Sequence, residues 1–135
     1  MHPDWQQFLE QSGAQISNGC VAAFGNTAQE RDAALNADVV CDLSHYALLA
    51  AQGDDAVTFL QGQLTNDVTT VDDTHSQLNA YCNNKGRMIS NFRIFRSEGT
   101  LFISLPQELV EITLTKMQHY ILRSQVAMGD VSDAL

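Results

Sequence analysis

The spacing of apolar and polar positions separates a weakly patterned first third of the chain from a strongly patterned remainder. Within Asp4 to Gln11, Trp5, Phe8 and Leu9 fall at helical spacing, which predicts a short amphipathic helix ended by Ser12-Gly13. Cys20 to Phe24 is an apolar run that fits a short edge strand. Thr27 to Asn36 fits either a helix or a surface loop. Val39 to Ala51 is apolar enough for one or two strands, interrupted at Asp42-Leu43-Ser44-His45.

The pattern sharpens from Gly53 onward. Gly53 breaks the preceding element, and Asp54 is a residue type that caps free helix N–H groups. Ala56, Val57, Leu60 and Leu64 then mark one buried stripe of a helix, ending near Thr65-Asn66-Asp67. Leu78, Ala80 and Cys82 alternate with Asn79, Tyr81 and Asn83, the period of a half-buried strand whose apolar set faces inward. Asn84-Lys85-Gly86 supplies a hairpin turn. Met88 to Arg96 reads as the next strand, with Met88, Ser90, Phe92 and Ile94 on one face and Ile89, Asn91, Arg93 and Phe95 on the other. After Ser97-Glu98-Gly99, Leu101 to Leu105 forms a third strand.

Pro106 suits the first position of a helix, where its missing N–H costs nothing. Glu108 and Glu111 come early in that helix and Lys116, His119 and Arg123 late, as the helix dipole favours. Val110, Leu114, Met117 and Ile121 form its apolar stripe, and Gln125 to Met128 fits a returning strand. From Tyr46 the expected order is strand, helix, three hairpin-linked strands, helix, strand. The expectation is an α+β fold: a mainly antiparallel sheet with helices on one face, a relative of the split βαβ (ferredoxin-like) arrangement.

Composition narrows the function. At 135 residues, 44% of them apolar, one hydrophobic core can hold a single domain. No apolar run approaches the roughly 18 residues of a membrane span, and the acidic N-terminus lacks the cationic start of a signal peptide. A cytoplasmic protein is expected. Cys20, Cys41 and Cys82 are odd in number and far apart, and the four histidines are scattered, so no metal site or disulfide is expected. Cys82 is expected to be a buried, inert thiol. A net charge of −9 argues against strong nucleic-acid binding by the domain as a whole. Four of the seven basic residues, Lys85, Arg87, Arg93 and Arg96, nevertheless lie within twelve positions. They form either a solvated strand edge or a local anion site.

No nucleophile elbow, phosphate loop or dinucleotide fingerprint occurs. The stretches Asp42-Leu43-Ser44-His45, Gly53-Asp54-Asp55-Ala56 and Phe59-Leu60-Gln61-Gly62-Gln63-Leu64-Thr65-Asn66-Asp67-Val68 do, in that order, resemble the N-terminal part of the glycine cleavage T protein (aminomethyltransferase). Asn84-Lys85-Gly86-Arg87-Met88-Ile89-Ser90-Asn91-Phe92-Arg93 and Tyr120-Ile121-Leu122-Arg123-Ser124-Gln125-Val126 resemble the YgfZ-type branch of that family more specifically. The likeness covers roughly residues 39 to 130, with 1 to 38 as a lead-in. It implies the single N-terminal, folate-binding-type domain of a longer chain. The YgfZ-type signature Lys-Gly-Cys-x-Thr-Gly-Gln-Glu, which lies downstream in the family, is absent from this sequence.

The resemblance implies a tetrahydrofolate derivative as cofactor, and a cytoplasmic role in iron–sulfur protein maturation and tRNA modification, with tRNA-modifying or iron–sulfur proteins as partners. It places Tyr46 against the folate and puts Ser90 and Asn91 where the T protein carries paired aspartates. Asn66 and Asp67 match a motif at a helix end. Lys85, Arg87 and Arg93 could receive the glutamate tail of the folate, or RNA. An amide can hydrogen-bond a pterin but cannot serve as a carboxylate base, so an active aminomethyltransferase is not expected. That enzyme and a non-enzymatic interaction module remain the alternative readings.

Overall fold

A computed structural model of the protein describes residues 1–133. The chain forms two compact units, one ending at His45 and the other beginning at Tyr46.

The first unit contains α1 (Pro3–Gln11), β1 (Gln15–Ser17), β2 (Cys20–Ala23) and α2 (Thr27–Asn36), with β1 and β2 paired antiparallel. In α1, Trp5 and Phe8 stack with their ring centroids 5.2 Å apart. The Trp5 indole donates to Asp42 Oδ1 at 2.8 Å, and the Ser44 hydroxyl donates to the same oxygen at 2.6 Å. The segment left open between helix and loop is the helix α2. It buries no residue and instead rests on its start, where Asn26 Oδ1 accepts from Gln29 N–H at 3.1 Å. Glu30 Oε1 reaches back there to the N–H groups of Phe24 and Asn26.

The second unit runs β3 (Tyr46–Gln52), α3 (Ala56–Gln61), a 3-10 turn at Val68–Thr70, β4 (Gln77–Cys82), β5 (Met88–Ser97), β6 (Thr100–Pro106), a 3-10 turn at Gln107–Leu109, α4 (Val110–His119) and β7 (Ala127–Asp130). This is the expected order. The sheet is β4-β5-β6-β3-β7, and every neighbouring pair is antiparallel. Phe59 and Leu60 of α3 and Met117 of α4 pack with Leu49, Phe92, Ile94, Leu101, Ile103 and Leu105 of the sheet in one core. Each fully buried aliphatic side chain there contributes about 1.5–3 kcal/mol.

Four local expectations are corrected. In β4 the buried set is the polar-looking one: Asn79 is 4% and Tyr81 3% exposed, whereas Leu78 is 64% exposed. Asn79 can be buried because its Oδ1 accepts from the N–H groups of Thr65 and Asn66. At the start of α3 the capping position is Asp55 rather than Asp54, and no side chain caps that end. The Asp55 carboxylate accepts instead from Gln125 N–H at 2.7 Å. Pro106 closes β6 and precedes a 3-10 turn, with α4 beginning four residues later. In α4 the most deeply buried residues are Thr113 and Met117, with Val110 and Leu114 partly buried beside them; the helix ends at His119, so Ile121, which still packs on the core, and Arg123 lie beyond it.

Candidate functional site

With α3 and α4 on one face of the sheet, register decides what stands on the other. Leu48 of β3 and Arg93 of β5 both pair with Ser104 of β6. Because β3 and β5 each run antiparallel to β6, they run the same way. Tyr46 and Asn91 therefore sit two residues before Leu48 and Arg93, at matching positions in the register, Tyr46 paired with Pro106 and Asn91 just beyond the last β5–β6 pair, about 10 Å apart at ordinary strand spacing. Ala80 pairs with Asn91, and Leu78 with Arg93, which extends both rows to β4. A third row, Phe95, Phe102 and Ala50, continues the face, with the two phenyl rings stacked 5.4 Å apart.

The face is a largely apolar floor, with Ser104 within it, that carries an exposed tyrosine, an exposed amide and an exposed guanidinium. Arg93 is oriented by donating from Nη1 to Ser76 Oγ at 2.9 Å. None of the paired positions that share this face is a carboxylate.

Three predicted site residues, Tyr46, Asn91 and Arg93, are thus brought together. Lys85 and Arg87 lie on the β4–β5 hairpin, held by Asn83 Oδ1, which accepts from both of their N–H groups at 2.9 and 3.0 Å. Gly86 takes a positive φ of 73° there, which a side chain would strain. Neither cation has a carboxylate within ion-pair distance among the described residues. Arg96 falls an odd number of residues from Arg93 and pairs with buried Leu101, so it leaves the face. Strand alternation divides the cationic cluster that looks continuous in sequence.

Asn66 and Asp67 are committed to the fold beside β4. The Asn66 amide donates to Leu78 O at 2.7 Å, and Asp67 Oδ1 accepts from Thr69 N–H and Oγ1. Ser90 is not on the open face. It is 2% exposed, turned toward the helices, and its hydroxyl has no partner among the described residues. Cys82 is half-buried rather than fully enclosed, next to a register shift between Tyr81 and Cys82. Sequence reasoning missed the floor itself, Leu48, Ser104, Phe102 and Pro106, because its rows come from strands more than fifty residues apart.

Residues 6–135 match the family described as the GCVT N-terminal domain. The chain belongs to that family. It is 33% identical over 93 residues to the tRNA-modifying protein YgfZ of Vibrio atlanticus, covering 69% of this chain and 29% of that protein. It is 36% identical over 94 residues to the YgfZ protein of Yersinia pseudotuberculosis, covering 69% of this chain and 28% of that protein. The chain therefore spans less than a third of the length of these curated relatives. The crystal structure of the glycine cleavage system aminomethyltransferase T from Bartonella henselae superposes with a TM-score of 0.73 at 16% identity, over 95% of this chain and 37% of that one. That match establishes a shared fold.

Proposed function

We propose that the open face of the sheet is one wall of a reduced-folate site, and that the protein serves tRNA modification and iron–sulfur protein maturation as a folate-binding factor. The observation that carries this reading is the placement of Asn91, Tyr46 and Arg93 on one apolar face in a GCVT-family domain related to YgfZ. A pterin is flat, with donors and acceptors around its edge. The Asn91 amide offers both a donor and an acceptor to that edge, and the Tyr46 ring offers a stacking surface. The glutamate tail is anionic, and Arg93 or the hairpin cations Lys85 and Arg87 supply charge-assisted donors for it.

The same face argues against aminomethyl transfer through a carboxylate. Asn91 stays neutral and can hold a proton donor or acceptor in place, but it cannot take up a proton as a base. Binding and orientation are the chemistry these residues support.

Calorimetric titration of the natural gene product that carries this sequence with 5-formyltetrahydrofolate tests the proposal. Saturable heat is expected, with Asn91→Ala and Tyr46→Ala each weakening affinity about five- to tenfold, the loss of one hydrogen bond or one stacking contact. Absence of saturable binding at about 1 mM ligand would sink it.

A further inference from the structure

A cleft of about 520 Å³ opens where the residues after α3, the end of β4, the β4–β5 hairpin and the last turn of α4 meet. Gln63, Tyr81, Asn83, Asn84, Lys116 and Tyr120 contribute to its wall. That volume is in the range that holds a small organic molecule. The cleft shares no residue with the open face around Tyr46, Asn91 and Arg93.

Two independent features of this wall point to a ligand. The first is Tyr81, which is 97% enclosed yet lines the cleft, and whose hydroxyl takes no protein partner among the described residues. The hydroxyl is not one of the enclosed unpaired groups, so it opens into the cleft, where it can donate to a ligand. Burial and then the neighbouring Tyr120 push its pKa up, which favours the protonated phenol, a form that can donate. The second is charge. In a chain with 16 acidic residues, no carboxylate among the described residues lines the cleft, while the Lys116 ammonium does. Lys116 has no carboxylate within ion-pair distance among the described residues.

The amides add to this. Asn83 Oδ1 is occupied by the N–H groups of Lys85 and Arg87, which leaves its amide N–H donors for another acceptor. The C-terminus of α4 brings partial negative charge to the same place. Tyr120 N–H and Ile121 N–H take up the Met117 and Gln118 carbonyls, and the Lys116 ammonium offsets the remainder. Ile89 and the Tyr120 ring supply apolar surface.

From these features we infer that the cleft is a second binding site, for a small organic anion with a flat apolar body, an aromatic phosphate or carboxylate. Lys116 supplies the charge, the Tyr81 hydroxyl and the Asn83 amide donate, and the Tyr120 ring covers the flat body.

The experiment is a backbone-amide NMR titration of the chain with phenyl phosphate, repeated with benzoate to separate the two anion classes and with benzyl alcohol as the uncharged probe. Saturating shifts are expected at Gln63, Tyr81 to Asn84, Ile89 and Lys116 to Tyr120, with a Kd of about 1 mM for at least one anion and about tenfold weaker binding of benzyl alcohol. Tyr81→Phe, which keeps the ring, and exposed Lys116→Ala should each weaken the anion about three- to tenfold. No shifts in the cleft, equal binding of the alcohol, or unchanged affinity in both variants would overturn the inference. Shifts confined to Tyr46, Asn91 and Arg93 would overturn it too, while leaving the folate proposal intact. Failure of folate titration has no bearing on this cleft.

Discussion

Asn79 and Asn66 stitch each other in place: Asn79 Oδ1 accepts from Asn66 N–H at 2.9 Å, and the Asn66 amide donates to the carbonyl of Leu78, the residue before Asn79, at 2.7 Å. Asn79 also accepts from Thr65 N–H at 3.1 Å, and its amide donates to Gln77. One buried side chain therefore satisfies two backbone donors of the link between α3 and β4. Asn79→Leu, although more apolar, should lower unfolding stability by about 1–2 kcal/mol, because it removes the acceptor of Asn66 N–H and leaves Thr65 N–H only the Ala80 carbonyl. Urea denaturation followed by circular dichroism measures this, and an unchanged midpoint would show that water reaches the freed Asn66 N–H.

Gly53 is placed against the chain just before β7. Its φ is +118°, and a Cβ built there would lie 2.1 Å from the Gln125 carbonyl oxygen, which is backbone and cannot swing aside. The contact is clamped on its far side by Asp55, whose N–H and carboxylate hold Gln125 O and N. Gly53→Ala should cost about 3 kcal/mol or more, through strain and the displacement of β7 from β3. Thermal melting of the variant checks this; a Tm within a few degrees of the parent would mean that β7 can move freely.

Ser90 has the opposite character. Its hydroxyl is enclosed without a partner among the described residues, so it is desolvated without compensation. Ser90→Ala should raise stability by about 1 kcal/mol and leave folate affinity unchanged, because the side chain is turned from the proposed site. A loss of stability in denaturant titration would show that the hydroxyl has a bonded role.

Asp42 holds the first unit together, and the chain's one tryptophan reports on it. Burial raises its pKa, but hydrogen bonds from the Ser44 hydroxyl, the Trp5 indole and Ser44 N–H outweigh that, and the folded-state value falls below the ordinary 3.8. A depressed carboxylate contributes stability that is fully present above pH 3.8 and lost as the pH falls through the lower folded value. Trp5 fluorescence should therefore change in an acid transition below that pH, and Asp42→Asn should remove that transition. An identical acid profile in the variant would assign the transition to other groups.

Much of this was legible in the sequence. Strand β5 was readable from Ser90 onward, because Phe92 and Ile94 alternate with Asn91 and Arg93, and alternation is a local property; at its start the irregularity opposite Tyr81 and Cys82 exposes Met88 and packs Ile89 on the core, the reverse of the expected faces. The hairpin at Gly86 was readable because a positive φ selects glycine. The family was readable from ordered motifs. The phase of β4 was not, because its buried positions are Asn79 and Tyr81, and what makes an asparagine a core residue is a pair of N–H groups thirteen and fourteen positions away. The same limit applies to binding. Sequence alone put Tyr46, Asn91, Ser90 and Arg93 forward together, and alternation within β5 already turns Ser90 and Arg96 from Asn91 and Arg93, but only pairing through Ser104 brings Tyr46 alongside Asn91. Local spacing determines which residues share a face of their own strand. Which faces meet, and what a buried polar group finds there, is decided by long-range pairing, because hydrogen bonds and excluded water belong to the assembled sheet and to no single segment.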